Sequence, residues 1–210
     1  MILKKASKKA IKYACLNFHY AKSVPVNTFG FAVFNNKKEW CGVILYGLGA
    51  NNNLAKSFNM VQGQVIELVR MALNGKQEST SKCMAISIKL LKKCVPNAKL
   101  IVSYADEKQN HKGIIYQATN WYYAGAIQAT SAIDPQDGEI KHTRILHSKY
   151  GSIKGFKKVK DKLKHKYIFP LNKSIRKQIS KLSKQYPKKL CPDGENVSHL
   201  VTNRKLAVQI

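Results

Sequence analysis

The sequence predicts an α/β (α+β) fold: a mixed central sheet with helices on both faces, carrying a basic C-terminal extension. Three observations lead to it. Apolar runs of strand length alternate with segments of helical periodicity between residues 28 and 123. One pair of runs is separated by only Asn35-Asn36-Lys37-Lys38, a hairpin signal. Another pair brackets a long amphipathic segment, as a parallel pair joined by a right-handed crossover requires. With 210 residues and 44% hydrophobic content the chain can bury one fair-sized core. We expect a catalytic core over residues 1–140, a basic strand-helix region over 141–190 that completes the fold, and a tail over 191–210.

The elements follow in order. Residues 2–20 read as one amphipathic helix, with Ile11, Ala14 and Phe18 on a stripe, ended by Ser23-Val24-Pro25. Residues 28–34 and 39–46 are the hairpin strands, and the turn-rich 47–53 is a loop. The apolar run 64–73 is a central strand. Residues 79–95 place Met84, Ile88, Leu91 and Val95 at helical spacing behind Ser79, Thr80 and Ser81 as caps. Residues 99–104 form the next strand and 113–123 a second helix. Further on, 166–171 is a strand and 173–182 a basic helix.

Charge narrows the function. Lys and Arg number 37 against 11 Asp and Glu, a formal +26 with a pI near 10.0, which calls for a polyanionic partner. Nucleic acid comes first, since neutralised phosphates release counterions, and an anionic membrane second. No run approaches the roughly 18 apolar residues of a spanning helix, and no apolar signal core follows the basic start. A cytoplasmic protein without a membrane is expected. Between residues 141 and 189 there are 17 Lys and Arg against the single acid Asp161. Interleaved aromatics make this a folded docking surface for DNA, with Lys166, Lys173, Arg176 and Lys177 as its cations; the alternative is a solvated lysine face. Five scattered cysteines without a CxxC pair read as reduced, with neither a zinc site nor a disulfide framework.

Chemistry concentrates where strand 99–104 ends. Asp106 stands just past its carboxyl end, where open α/β sheets collect ligands; it serves the reaction or caps the following helix. Tyr116 either donates a proton near bound substrate or packs in the core. Arg70 at the end of one strand and Ser79, Thr80, Ser81 and Lys82 at a helix start could together hold a pyrophosphate, the bland reading being ordinary capping. His19 and Tyr20 are metal ligands or a base pair only if Asp106 converges on them. One ring of Trp121-Tyr122-Tyr123 could stack on an extruded base, although the run reads mainly as core.

The stretches NFHYAKSVP (17–25), EWCGVILYGLGA (39–50), IELVRMAL (66–73), SKCMAISIKLLKK (81–93), LIVSYADEKQNHKGIIYQATNWYYAG (100–125) and KHKYIFPLNKSIRKQISKLSKQYPK (164–188) resemble the Mom family of phage DNA-modification proteins, in the GNAT acetyltransferase-like superfamily. The resemblance implies an enzyme that converts adenine in double-stranded DNA to an N6-carbamoylmethyl (acetamido-type) form, protecting phage DNA from restriction in the host cytoplasm. It implies acetyl-CoA as cofactor, with Arg70 and Ser81 at the CoA phosphates and Asp106 and Tyr116 at the reacting centre. It also links the family to iron, which would draw on His19, Tyr20 and Asp106. The superfamily's glycine-rich phosphate loop is replaced here by Gln77-Glu78-Ser79-Thr80-Ser81-Lys82, without glycine. Two other readings stay open: an acetyltransferase for amines of RNA, protein or small molecules, and a non-catalytic basic nucleic-acid-binding protein. The sequence leaves the oligomeric state open, with a homodimer as one option.

Overall fold

The computed structural model describes residues 1–49, 53–109, 111 and 113–185. Along the chain lie β1 (Ile2–Lys5), α1 (Lys8–Asn17), β2 (Thr28–Phe34), β3 (Trp40–Gly47), α2 (Asn53–Lys56), β4 (Val65–Leu73), α3 (Thr80–Cys94), β5 (Leu100–Asp106), α4 (Ile114–Ala118), β6 (Tyr122–Ile133), β7 (Ile140–His142), α5 (Thr143–Tyr150), β8 (Lys158–Pro170) and α6 (Lys173–Ser180). They fall into two compact units. The first holds Met1–Ser103, Ile115–Tyr122 and Tyr167–Ser183; the second holds Tyr104–Ile114, Tyr123–Lys166 and, among the described residues, Lys184 and Gln185.

In the first unit hydrogen-bonded neighbours run β1-β2-β3-β4-β5-β8. The first four strands pair antiparallel and β4 pairs parallel with β5, so the sheet is mixed. Alternation along β3 sends successive side chains to opposite faces. Val43 and Leu45, with Ala72 of β4, meet Ile11, Ala14 and Cys15 of α1. Tyr46 turns the other way, and its hydroxyl pairs with Ser87 of α3 at 2.7 Å. Helices therefore cover both faces. Gly42 lets β3 approach β4: its φ is +128°, and a Cβ there would stand 2.1 Å from the Ala72 carbonyl oxygen.

The first helix is shorter than its periodicity suggests. Residues 2–5 pair with β2 instead, satisfying their backbone groups at the sheet edge. Ser7 then caps α1, accepting the Ala10 N–H at 3.2 Å. At α3 Ser79 does the same for Lys82 N–H at 3.2 Å. Pairing between β4 and β5 covers only Val65↔Leu100, Ile66↔Ile101 and Glu67↔Val102. Both strands run on, to Leu73 and Asp106, so they part beyond Glu67.

The second unit carries β6 and β7 as an antiparallel pair, with α5 and the first nine residues of β8. Fully buried Asp134 ties the β6–β7 turn to α5, accepting from Lys141 and Lys149 Nζ at 2.9 Å each and from the Tyr150 hydroxyl. Burial alone would raise this carboxyl, but those hydrogen bonds outweigh it and hold it well below the usual carboxylate range. Two expectations change here. Only Ile114–Ala118 of the 113–123 segment is helical, and Tyr122 begins a long strand whose Ala, Gly, Ser and Thr content carries little apolar signal. The strand expected over 166–171 starts at Lys158, because KVKDKLKHKY alternates strictly: Lys158, Lys160 and Lys162 are exposed while His165 and Tyr167 on the alternate register are buried.

Candidate active site

The parting of β4 and β5 is bridged by side chains. Ser103, the residue after the last β4–β5 pair, donates to the Leu68 carbonyl at 2.9 Å and shares a 2.9 Å hydrogen bond with the Tyr116 hydroxyl. Tyr116 arrives on α4, its ring stacked on Tyr167 at 4.5 Å and meeting Trp121 edge-on at 5.1 Å. Burial pushes the phenol up to about 12; the Ser103 hydrogen bond pulls the other way, while Tyr20 and Glu67 add to the rise. The phenol is therefore neutral at any physiological pH, a proton donor and not a base.

Glu67 is a candidate residue that sequence reasoning did not single out. It is half-buried on β4 at the last paired position, and a Cβ on Gly49 would stand 3.4 Å from one of its carboxylate oxygens. The signal was present: a lone acid inside the apolar run Val65-Ile66-Glu67-Leu68-Val69, in a chain with 11 acids, costs free energy unless it is paired or hydrogen-bonded. Tyr20 is about half exposed, its ring 4.3 Å from that of His19, and His19 Nδ1 accepts the Ala21 N–H at 3.1 Å.

The expected phosphate site divides. Arg70 pairs in register with Leu45 and so faces α1, where its guanidinium donates to the Ser23 carbonyl and hydroxyl beside Cys15. Ser79 to Lys82 open α3, on the opposite face. Arg70 is thus held apart from them by strand alternation. Ser81 and Lys82 instead border a groove of about 610 Å³, with Lys89 and Lys92 of α3 and Lys173 and Arg176 of α6. Lys82, Lys89 and Lys92 lie on one helix face by their spacing, and Ile88, Phe169 and Leu171 give the groove an apolar floor. Asn172 caps α6, accepting the Ile175 N–H at 2.9 Å. Two helix N-termini and five cations therefore border one groove, and no acid lines it. Thr80 accepts from Gln77 Nε2 at 2.9 Å.

Asp106 ends β5 in the second unit, and its carbonyl accepts the His111 N–H at 3.3 Å. Lys177 is exposed on α6, whereas Lys166 is half-buried and burial lowers its amine. Trp121 and Tyr123 are 1% and 4% exposed and cannot stack on an extruded base; only Tyr122 of that run is partly accessible. Burial raises the thiols of Cys15, Cys41 and Cys83, the last to about 11, so they are core filler and not nucleophiles. Cys191 and residues 186–189 of the basic region lie outside the described residues. Among the described residues no three His, Cys, Asp or Glu side chains cluster as metal ligands. Of the residues implied for iron, His19 and Tyr20 belong to the first unit and Asp106 to the second, and His19 has its Nδ1 engaged by the Ala21 N–H.

The profile of the Mom protein family matches residues 1–188. The methylcarbamoylase mom of Escherichia phage Mu is 27% identical over 183 residues, covering 80% of this chain and 75% of that protein. Similar solved structures include the spermidine/spermine N-acetyltransferase SpeG from Vibrio cholerae with manganese ions, at TM-score 0.45 and 10% identity, covering 84% of this chain and 95% of that one. A Bacillus subtilis acetyltransferase in complex with CoA is similar at TM-score 0.45 and 12% identity, covering 81% of this chain and 97% of that one.

Proposed function

The chain belongs to the Mom protein family, and from that membership we propose that it is a transferase that modifies the exocyclic amine of adenine in phage DNA, drawing on acyl-CoA. The observation that carries the proposal is the half-buried, neutral Tyr116 phenol hydrogen-bonded to Ser103 at the parting of β4 and β5, with Glu67 and Tyr20 as its electrostatic neighbours. Transfer to an amine needs a group that takes a proton from the attacking nitrogen and one that returns a proton to the leaving group. Glu67 is suited to the first task and Tyr116 to the second. Asp106 joins the reacting centre by the family resemblance.

The groove at the start of α3 fits the phosphates of acyl-CoA: helix N-termini, cations and an apolar floor suit a phosphorylated nucleotide. Ser81 and Lys82 would hold it together with Lys89, Lys92, Lys173 and Arg176. When bound, acyl-CoA supplies the activated carbonyl. This reading takes Lys173 and Arg176 from DNA and gives them to the cofactor. DNA docking is then left to the exposed lysines of β8.

Mass analysis of nucleosides from cells expressing the protein tests the proposal. The expected result is a new adenine derivative in DNA that is lost with Tyr116→Phe. Unmodified DNA, with acyl groups found on RNA, protein or small amines instead, would overturn it.

A further inference from the structure

On the face of the sheet that carries α1, a second groove of about 630 Å³ is bordered by Lys4 and Lys5 of β1, Lys9 and Tyr13 of α1, Phe18 and Trp40. The rings form one cluster. Centroids of Tyr13 and Phe18 are 5.7 Å apart, those of Tyr13 and Trp40 5.7 Å, and those of Phe18 and Trp40 5.5 Å. Phe18 and Trp40 pack one side against the α1–β3 core. Tyr13 does not: it lies off the buried stripe Ile11, Ala14, Cys15 and is 54% exposed. Lys9 and Tyr13 stand one helical turn apart, on the same face. No acid lines the groove.

Lysines on an edge strand can serve only to discourage pairing with other chains, which accounts for Lys4 and Lys5 but not for the aromatic cluster beside them. Cations interleaved with accessible rings are the chemistry that takes unpaired nucleotides: bases stack on the rings and the cations follow the phosphates. The groove is also joined to the reacting centre through the chain. Phe18 lines it, and Tyr20, two residues on, is the electrostatic neighbour of the Tyr116 phenol. An enzyme that reaches an adenine amine in duplex DNA must unstack bases, and the opened strand then needs a surface.

We infer that this groove binds single-stranded DNA, stacking an unpaired base on Tyr13 and Trp40 while Lys4 and Lys9 hold the flanking phosphates. The inference rests on the DNA reading above. It gives the aromatic contact to Tyr13 and Trp40 in place of the buried Trp121 and Tyr123.

The protein carries two tryptophans, Trp40 in the groove and Trp121 at 1% exposure, so its own fluorescence reports the test. Full-length protein is titrated with a short oligothymidylate and, as a charge control, with polyglutamate. Saturable quenching by the oligonucleotide is expected, absent with polyglutamate and abolished in Trp40→Phe. Tyr13→Ala, at an exposed position, should weaken oligonucleotide binding about tenfold, with the melting temperature lowered by a few degrees at most through the lost ring contacts. The Lys4→Gln/Lys9→Gln double variant should flatten the salt dependence. Equal quenching by polyglutamate, quenching that survives in Trp40→Phe, wild-type affinity in Tyr13→Ala, or no binding at all would each overturn the inference. The nucleoside assay separates the two readings: an adenine derivative formed by wild type with no quenching sinks the groove alone, and quenching without any derivative sinks the modification reading alone.

Discussion

On the proposed reading, Tyr116 and Glu67 are the residues on which the chemistry turns. Removing the phenolic oxygen in Tyr116→Phe breaks one hydrogen bond, to Ser103, and leaves the ring stacked on Tyr167. A lost hydrogen bond of this kind costs about 0.5–1.5 kcal/mol, and about 1 kcal/mol in a chain of this size lowers the melting temperature by roughly 2–4 °C. Loss of a general acid costs about 10²–10⁴ in rate. A small thermal shift beside a loss of activity that large is the expected outcome, and calorimetry beside the nucleoside assay checks it; melting lowered by ten degrees or more would make Tyr116 a packing residue. The raised phenol also fixes a pH window. Tyrosine that ionises near 10 when unfolded but near 12 when folded gives stability that is fully present below pH 10 and lost as pH climbs from about 10 to about 12, because the unfolded chain releases its proton first. That decline should be shallower in Tyr116→Phe in alkaline melts. Glu67→Gln keeps shape and removes the charge, so it should lower turnover about 10²–10⁴-fold and leave DNA affinity at the wild-type value.

At the scale of elements, the sequence was informative where periodicity was strong. The hairpin, β4, α3 and β5 came from apolar runs, the Asn35–Lys38 turn and the serine caps, and their parallel crossover followed from order alone. What escaped has physical causes. β1 is too short for its alternation to stand out beside an amphipathic helix, so residues 2–20 read as one element. β6 is built of small residues whose strand assignment comes from its neighbours. Arg70 could not be placed from sequence because its face depends on register: the β3–β4 bulge between Leu45 and Tyr46 sets which residues of β4 look toward α1. The meeting of α3 and α6 at one groove is tertiary, and nothing in either segment announced the other. This meeting makes α6 testable. If the groove holds acyl-CoA, Arg176→Ala weakens cofactor binding by roughly ten- to a hundredfold, as loss of a charge-assisted phosphate contact does, while the salt slope of DNA binding stays as it was. Titration calorimetry with acyl-CoA and DNA binding across a salt series measure both sides. The reverse result would return α6 to DNA. Arg70→Ala, which removes the anchor of the Ser23 loop, should leave cofactor affinity unchanged.

For the molecule as a whole the governing quantity is the +26 charge, and its arrangement matters more than its size. Two grooves and one strand present most of the cations singled out above: the α3–α6 groove, the aromatic groove beside α1, and the lysine row of β8. In that row Lys158, Lys160 and Lys162 are exposed, with Lys164 half-buried behind them. Alternate residues of a strand lie roughly 6.6–6.8 Å apart, and each strand of duplex DNA advances about 3.4 Å per phosphate along its axis. A lysine row that follows the sugar-phosphate backbone can meet several phosphates of one strand at once. Such contacts position the protein without reading sequence, because lysine to phosphate is indifferent to the base. The four arginines, against 33 lysines, leave few side chains for the bidentate reading of guanine. Replacing Lys158, Lys160 and Lys162 by alanine should therefore lower duplex affinity about equally for all sequences. It should also flatten the plot of log affinity against log salt by up to about 0.9 per lysine, while acyl-CoA affinity stays constant. Their exposure makes the substitutions safe for the fold, so the melting temperature serves as the control. A triple variant that bound duplex DNA with the wild-type salt slope would leave the β8 lysines as a solvated face and move duplex docking elsewhere on the molecule.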